Sequence, residues 1–442
     1  MTFTITRPTI PFKGIIDLPA SKSISNRSLV INALANRSEN RIQGFETDHK
    51  NNEDSLIGGP QLHNVSDCDD TRVMTEWLNT MPDLIDIGAA GTAMRFSSAL
   101  LAVTDGTKVI TGSERMRHRP ISVLVDALRL LGAKVEYVGE EGFPPLRITG
   151  NNHLKGGELH LPGNVSSQYI SALLMIGPVL TDGLVLHLEG HIISRPYIDL
   201  TLHVMRDFGA EVHWTDERTI TVSPKGYEPA TSFMVESDWS AASYWYEIVA
   251  LSSGYQVTLP LLFSNSQQGD REVASIFDHL GVKTTHTFTE QGHPCVEISQ
   301  QPCTLSRLDY DFINQPDLAQ TLVVCCCMLG IPFRFTGLQS LRIKETDRIA
   351  ALERELAKLG YKVTHQGDSV MEWDGTKTEV TNPEPIDTYD DHRMAMAFAP
   401  CALRLPHIRI NNPQVVSKSY PHYWDYLRVA GFTICESTTV AH

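Results

Sequence analysis

The sequence lacks a basic surplus. Its 442 residues carry 37 Lys+Arg against 52 Asp+Glu, a formal net charge of −15. That balance argues against a nucleic-acid or anionic-membrane binder, which needs net basic surface. It leaves room for a small anionic ligand, which answers to the local field. Cysteine is also scarce: there are eight, and Cys325, Cys326 and Cys327 stand together in an apolar run. So few, so scattered, exclude a disulfide scaffold, and the three neighbours read as small buried hydrophobes. No CxxC pair and no HExxH occurs, so no metal site is expected. No run of about 18 apolar residues marks a transmembrane helix, and the start of the chain has no apolar signal-peptide core. These absences point to a reduced, cytoplasmic protein. With 42% hydrophobic residues it can bury a large core, and its length fits two or three domains.

What is present is repetition. Five segments pass from an amphipathic helix through a glycine into a strand-like run, with junctions at Gly132, Gly209, Gly281, Gly360 and Gly431. Each glycine stands where a helix C-cap needs positive φ. The junctions are 77, 72, 79 and 71 residues apart. That spacing is too long for a solenoid and suits a βαβαββ subdomain used six times. The sixth copy is expected at residues 71–88, with a degenerate junction. Residues 46–70 are acidic and marked by Gly and Pro, so they read as a long surface loop. Its SDCDD end is expected to cap a helix starting near Thr71.

Basic and hydroxyl residues cluster at probable helix starts, where unpaired N–H groups and the helix dipole favour anions. In ASKSISNRS, Ser21 or Ser23 caps a helix bearing Lys22 and Arg27. In DIGAAGTAMR, Gly91 permits close backbone approach. In SERMRHRPI, Arg115, Arg117 and Arg119 form an electropositive entrance, with Pro120 in the first helical turn. In NVSSQY, Ser166, Ser167 and Gln168 precede an apolar helix. In LRIKETDRI, Lys344 and Arg348 are expected on one helix face, with Glu345 between them. A carboxylate held between cations is a candidate proton donor or acceptor. In YDDHRMAM, Asp390 or Asp391 caps a helix that projects His392 and Arg393. Asp317, after Pro316, and Lys418, in SKSYP, complete the set.

Read in order, the segments SKSxSNR, AGTAMR, RMRxRPI, SSQ, SRPYIDLT, KETDR and DDHRMAM resemble the 5-enolpyruvylshikimate-3-phosphate synthase family over nearly the whole chain. The resemblance implies an α/β (α+β) fold of two domains, each of three βαβαββ units around a pseudo-threefold axis. A discontinuous domain of residues 1–20 and 239–442 would hold an inserted domain of residues 21–238, with ligands in the cleft between them. It implies transfer of the enolpyruvyl group of phosphoenolpyruvate to the 5-hydroxyl of shikimate 3-phosphate, through a tetrahedral intermediate, by a monomer without cofactor or metal. Carried over residue by residue, Lys22, Asp317, Glu345 and His392 match catalytic positions. Lys22, Ser23, Arg27, Ser166, Ser167, Gln168, Ser194, Tyr197, Asp317, Ser340 and Lys344 match shikimate-phosphate contacts. Lys22, Gly91, Arg119, Gln168, Arg348, Arg393 and Lys418 match phosphoenolpyruvate contacts. Gly91 also leaves room for the inhibitor glyphosate.

The chain departs from the family pattern in places. Ala89 stands where Asn is usual, Ser340 where many members carry Asn, and Phe96 where Pro commonly follows the turn, which it is expected to reshape. Two alternatives are enolpyruvyl transfer to UDP-N-acetylglucosamine and a non-catalytic anion-binding relative. Against the first, the loop TGSERMRHRP lacks the reactive Cys of that family. Against the second, Lys22, Asp317 and Glu345 are all present.

Overall fold

The computed structural model describes residues 1–36, 61–228 and 232–437. The chain divides into two compact units: Met1–Pro19 with Glu236–His442, and Ala20–Val235. Each has its own apolar core, centred on residues such as Trp245, Phe277 and Leu322 in the discontinuous unit and Phe96, Leu128 and Leu173 in the inserted one.

One strand arrangement recurs. Strand Leu84–Asp86 leads through helix Gly91–Ala102 to the parallel strand Gly106–Thr111. Helix Ser122–Leu130 and the antiparallel pair Lys134–Tyr137 and Leu146–Gly150 follow, with the last strand inserted beside the second. The same order appears in the sheets built from Gly157–Pro162 and from Leu308–Asp311. It appears again where Lys13–Ile15 pairs in parallel with Gln256–Pro260, so the inserted unit occupies the connection between them. A fifth sheet joins the two ends of the chain. Thr2–Thr6 runs antiparallel between Ile408–Asn411 and Thr433–Ser437. A sixth, among the described residues, pairs Gln61–His63 with Ser232–Met234.

The junction glycines explain the recurrence. All five take φ between +79° and +95°, a conformation that lets the chain leave the helix and fold back as a strand without a Cβ clash. In the sixth copy Met81 fills that role at φ +45°. Its carbonyl accepts from Lys108 Nζ at 2.6 Å, and Lys108 also pairs with Asp83 at 2.9 Å. A lysine thus supports a turn that glycine makes elsewhere.

Two expectations are corrected. Residues 61–63 of the expected loop form a strand, while 46–60 lie outside the described residues. The following helix begins at Asp69, two residues early, with Cys68 at its N-cap and no side-chain cap. Asp69 and Asp70 occupy its first turn, where negative charge favours the dipole. Phe96, which follows the turn, lies fully buried within helix Gly91–Ala102. Cys325, Cys326 and Cys327 are buried in helix Ala319–Leu329, as expected. Among the described residues no helix is long and apolar enough to cross a membrane.

Candidate functional site

Each unit carries a cluster of the sequence-predicted residues. In the inserted unit, Ser21 caps helix Lys22–Ala35, its Oγ accepting from the Ile24 N–H at 3.4 Å. The positive dipole end therefore coincides with Lys22 and Ser23. Lys22 Nζ pairs with Asp70 at 3.2 Å, the two side chains being 17% and 11% exposed.

Arg27 lies in the interior. Its Nε donates to Thr201 Oγ1 at 2.7 Å, and Nη1 donates to the Ser23 carbonyl at 2.8 Å. Nη2 donates to Ser171 Oγ at 3.2 Å and the Tyr197 carbonyl at 3.1 Å. The guanidinium lies over the Phe96 ring at 5.3 Å. Burial lowers its pKa to about 10. One side chain thus ties helix Lys22–Ala35 to helices Ser167–Ile176 and Arg195–Asp207, and fixes Ser23 and Tyr197 through their carbonyls.

Gly91 opens its helix directly against Arg119. A Cβ at this glycine would collide with the Arg119 guanidinium. The backbone beside Arg119 is held by the neighbouring Pro120 carbonyl, which accepts from Arg95 Nη2 at 2.9 Å and Tyr169 Oη at 2.5 Å. Gln168 Nε2 donates to Thr92 Oγ1 at 3.1 Å, and Ser166 Oγ accepts from the Gln168 N–H at 3.4 Å. Ser167 begins that helix. Ser194 caps the next at φ +53°, and its carbonyl accepts from the Tyr197 N–H at 3.1 Å. Arg115 and Arg117 belong to a one-turn helix in which Arg117 pairs with Glu114 at 3.5 Å. Pro120 precedes the N-cap, Ile121, instead of entering the first turn.

In the discontinuous unit, Arg348 is the hub. Its Nη1 donates to Asp317 Oδ1 at 3.0 Å, its Nη2 to Glu345 Oε2 at 2.8 Å, and its Nε to Asp391 Oδ2 at 2.7 Å. Burial alone would lower its pKa, but Asp391, Glu345 and Asp317 together raise it above the usual arginine value. The guanidinium is therefore a permanent charge. Asp317 gathers two more cations: Lys344 Nζ at 3.5 Å and Arg393 Nη2 at 3.0 Å. Arg393 Nη1 also donates to Tyr244 Oη at 3.3 Å. Burial, eased by Arg393, pushes the Tyr244 phenol up to about 12. Asp317 and Glu345 remain partly open, at 19% and 18% exposed.

Asp391 both caps and pairs. Oδ1 accepts from the Arg393 N–H at 2.9 Å and from Arg348 Nη2 at 3.4 Å, while Oδ2 accepts from Arg348 Nε. The preceding residues Tyr389 and Asp390 both have positive φ, 52° and 55°, a strained approach for non-glycine residues. The Asp390 carbonyl is held by Lys418 Nζ at 2.7 Å. His392 is buried at the start of helix His392–Phe398, with Nδ1 3.9 Å from Asp391 Oδ1. Ser340 is half-buried in the turn Gln339–Ile343. Lys344 and Arg348 do not share a helix face, because the helix starts at Arg348 with Asp347 as its cap. Asp317 joins them instead.

Sequence reasoning missed the residues that support these clusters. Tyr244 and Asp270 lie in none of the quoted segments, and Asp70, Arg95 and Tyr169, although inside SDCDD, AGTAMR and NVSSQY, carry no local sign of the partners they meet. Asp270 accepts a hydrogen bond from Ser240. Burial, followed by the Asp317 charge, pushes its pKa up to about 6. Asp391 was legible as a cap but not as the partner of Arg348, 43 residues away.

The family model for EPSP synthase (3-phosphoshikimate 1-carboxyvinyltransferase) matches residues 6–427. A 3-phosphoshikimate 1-carboxyvinyltransferase of Bacteroides fragilis is 54% identical over 434 residues, covering 98% of this chain and 99% of that one. One of Photobacterium profundum is 37% identical, covering 95% and 97%. An EPSP synthase structure from Acinetobacter baumannii shares the fold with TM-score 0.74 at 24% identity, covering 98% of this chain and 100% of that one. The enolpyruvyl transferase NikO from Streptomyces tendae does so with TM-score 0.69 at 15% identity, covering 99% of each. Similarity that runs through both units makes this chain a member of the EPSP synthase family, a transferase.

Proposed function

We propose that the chain transfers the enolpyruvyl group of phosphoenolpyruvate to the 5-hydroxyl of shikimate 3-phosphate and releases phosphate. The observation that carries this reading is the sharing of Arg348 by Asp317 and Glu345. The chemistry needs a proton delivered to C3 of the enolpyruvate, which makes C2 electrophilic. It needs a base to take the 5-hydroxyl proton as oxygen attacks C2. The tetrahedral adduct then expels phosphate as C3 returns its proton. Two carboxyl groups on one fixed cation give such an acid and base a defined geometry.

In this reading Glu345 handles the C3 proton and Asp317 the hydroxyl proton. Lys22, Arg119, Arg348, Arg393 and Lys344 supply charge for phosphate and carboxylate groups, with Gln168, Ser166, Ser167, Ser23, Ser194, Tyr197 and Ser340 as polar contacts. Gly91 keeps Arg119 against a helix N-terminus, an anion-binding arrangement. Lys418 and His392 act near the Asp391 turn. Arg27 is better placed to hold Ser23 and Tyr197 than to meet a ligand, because four of its N–H bonds are made within the unit. The eight unpaired cysteines fit a reduced compartment, and we assign a cytoplasmic monomer that acts on small molecules. Phosphate release with phosphoenolpyruvate and either shikimate 3-phosphate or UDP-N-acetylglucosamine tests the acceptor. Release with the first alone is expected; release with the second alone would overturn the assignment.

A further inference from the structure

In the inserted unit, a four-stranded sheet ends in the edge strand Gly157–Pro162, which runs parallel to Leu184–Glu189. Alternation sends Leu159, Leu161 and Leu186 into the core. The opposite face carries Glu158, His160, His187 and Glu189, exposed or half-exposed. The register sets His160 directly opposite His187. Their rings stack, with centroids 4.6 Å apart and planes 23° apart. Ligand atoms of Glu158, His160 and His187 all lie within 4.8 Å of one another. Among the described residues this is the one such trio.

The partners of the two rings give the trio a direction. His160 Nδ1 is 3.2 Å from Glu189 Oε1, and His187 Nδ1 is 3.1 Å from Thr219 Oγ1. A ring that donates its Nδ1–H to an oxygen presents the Nε2 lone pair. That is how outer partners orient metal-binding histidines. Negative charge is also close: Glu158 and Glu189 flank the rings, and Asp216 lies near enough to His187 to interact electrostatically.

We propose that this face binds one divalent transition-metal ion of the zinc class. His160 and His187 give Nε2, and Glu158 gives one carboxylate oxygen; Glu189 and Thr219 hold the rings. Imidazole with carboxylate selects such ions over magnesium or calcium. Metal–nitrogen bonds of about 2.0–2.1 Å require the donors to close from their present spacing, which rotation of surface side chains supplies. Three protein ligands leave a fourth position for water. The sequence pattern hid this site because the histidines are 27 residues apart and meet only through parallel pairing. The ion would clip the edge strand to its neighbour, stabilising the folded chain by mass action.

The test uses the full-length, untagged chain stripped with chelator and titrated calorimetrically with Zn²⁺, with Mg²⁺ as the hard-cation control. One saturable Zn²⁺ per chain is expected, accompanied by a rise in thermal midpoint. His160→Ala, at an exposed position, and His160→Ala/His187→Ala are expected to abolish both effects. Glu189→Gln is expected to weaken binding about 10–100-fold. Metal-free phosphate release is expected to be unchanged in all three. Absence of saturable Zn²⁺ binding, or equal binding by the wild type and both histidine variants, would overturn the proposal.

Discussion

Arg348 Nε lies 2.7 Å from Asp391 Oδ2, and the two side chains are 2% and 0% exposed. A buried pair of this kind is costly to break, because the surviving charge has no water to turn to. Asp391→Ala is expected to destabilise the chain by about 3 kcal/mol, the low end of the usual range, since Asp317 and Glu345 still neutralise Arg348. Asp391→Asn keeps the cap and should cost less. Denaturant titration checks both. A loss below about 1 kcal/mol for the alanine variant would place the pair among the weak surface bridges.

Glu345→Gln removes an acid with almost no change of volume. Ligand binding should survive while turnover falls roughly 10²–10⁴-fold, the usual weight of general acid–base catalysis. Single-turnover kinetics and equilibrium binding separate the two. Parallel losses in both would make Glu345 a structural partner of Arg348.

Gly91→Ala forces the Arg119 guanidinium away from the helix start. The obstructing atoms end a flexible side chain, so stability should barely change. Loss of one charge-assisted contact of about 1.5–3 kcal/mol raises the KM for phosphoenolpyruvate about 10–100-fold. Steady-state kinetics with each substrate varied checks this, and an unchanged KM would remove Arg119 from the binding role.

Asp270 makes stability depend on acid pH. Its folded pKa, about 6, lies above that of an unfolded aspartate near 3.8. Between those values the folded chain keeps a proton that the unfolded chain has lost. Its contribution is therefore full below about pH 4 and is lost as pH rises through 6. The change is on the order of 2–3 kcal/mol. Stability curves of Asp270→Asn and wild type should differ in slope across this window, the wild type losing more stability, or gaining less, than the variant as pH rises. Identical slopes would mean that Asp270 titrates normally.

Much of the fold was legible because each copy repeats a local signal. A glycine forced to positive φ can be read from its neighbours, and Gly132 through Gly431 show it. Met81 could not be read this way, because Lys108 supports that turn from another strand. Cations at helix starts were legible for the same local reason. Their partners were not: Asp70 for Lys22, Tyr244 for Arg393 and Asp391 for Arg348 are set by packing between distant segments. Lys344 and Arg348 show the limit most clearly. Their spacing of four suggests a helix face, yet the helix starts only at Arg348 and the carboxylate of Asp317 unites them.

The central claim is the enolpyruvyl transfer itself. Its most direct test is phosphate release when purified chain meets phosphoenolpyruvate and shikimate 3-phosphate together, beside Lys22→Ala. The account predicts release that requires both substrates and collapses in the variant. Release no greater in the wild type than in Lys22→Ala would contradict it.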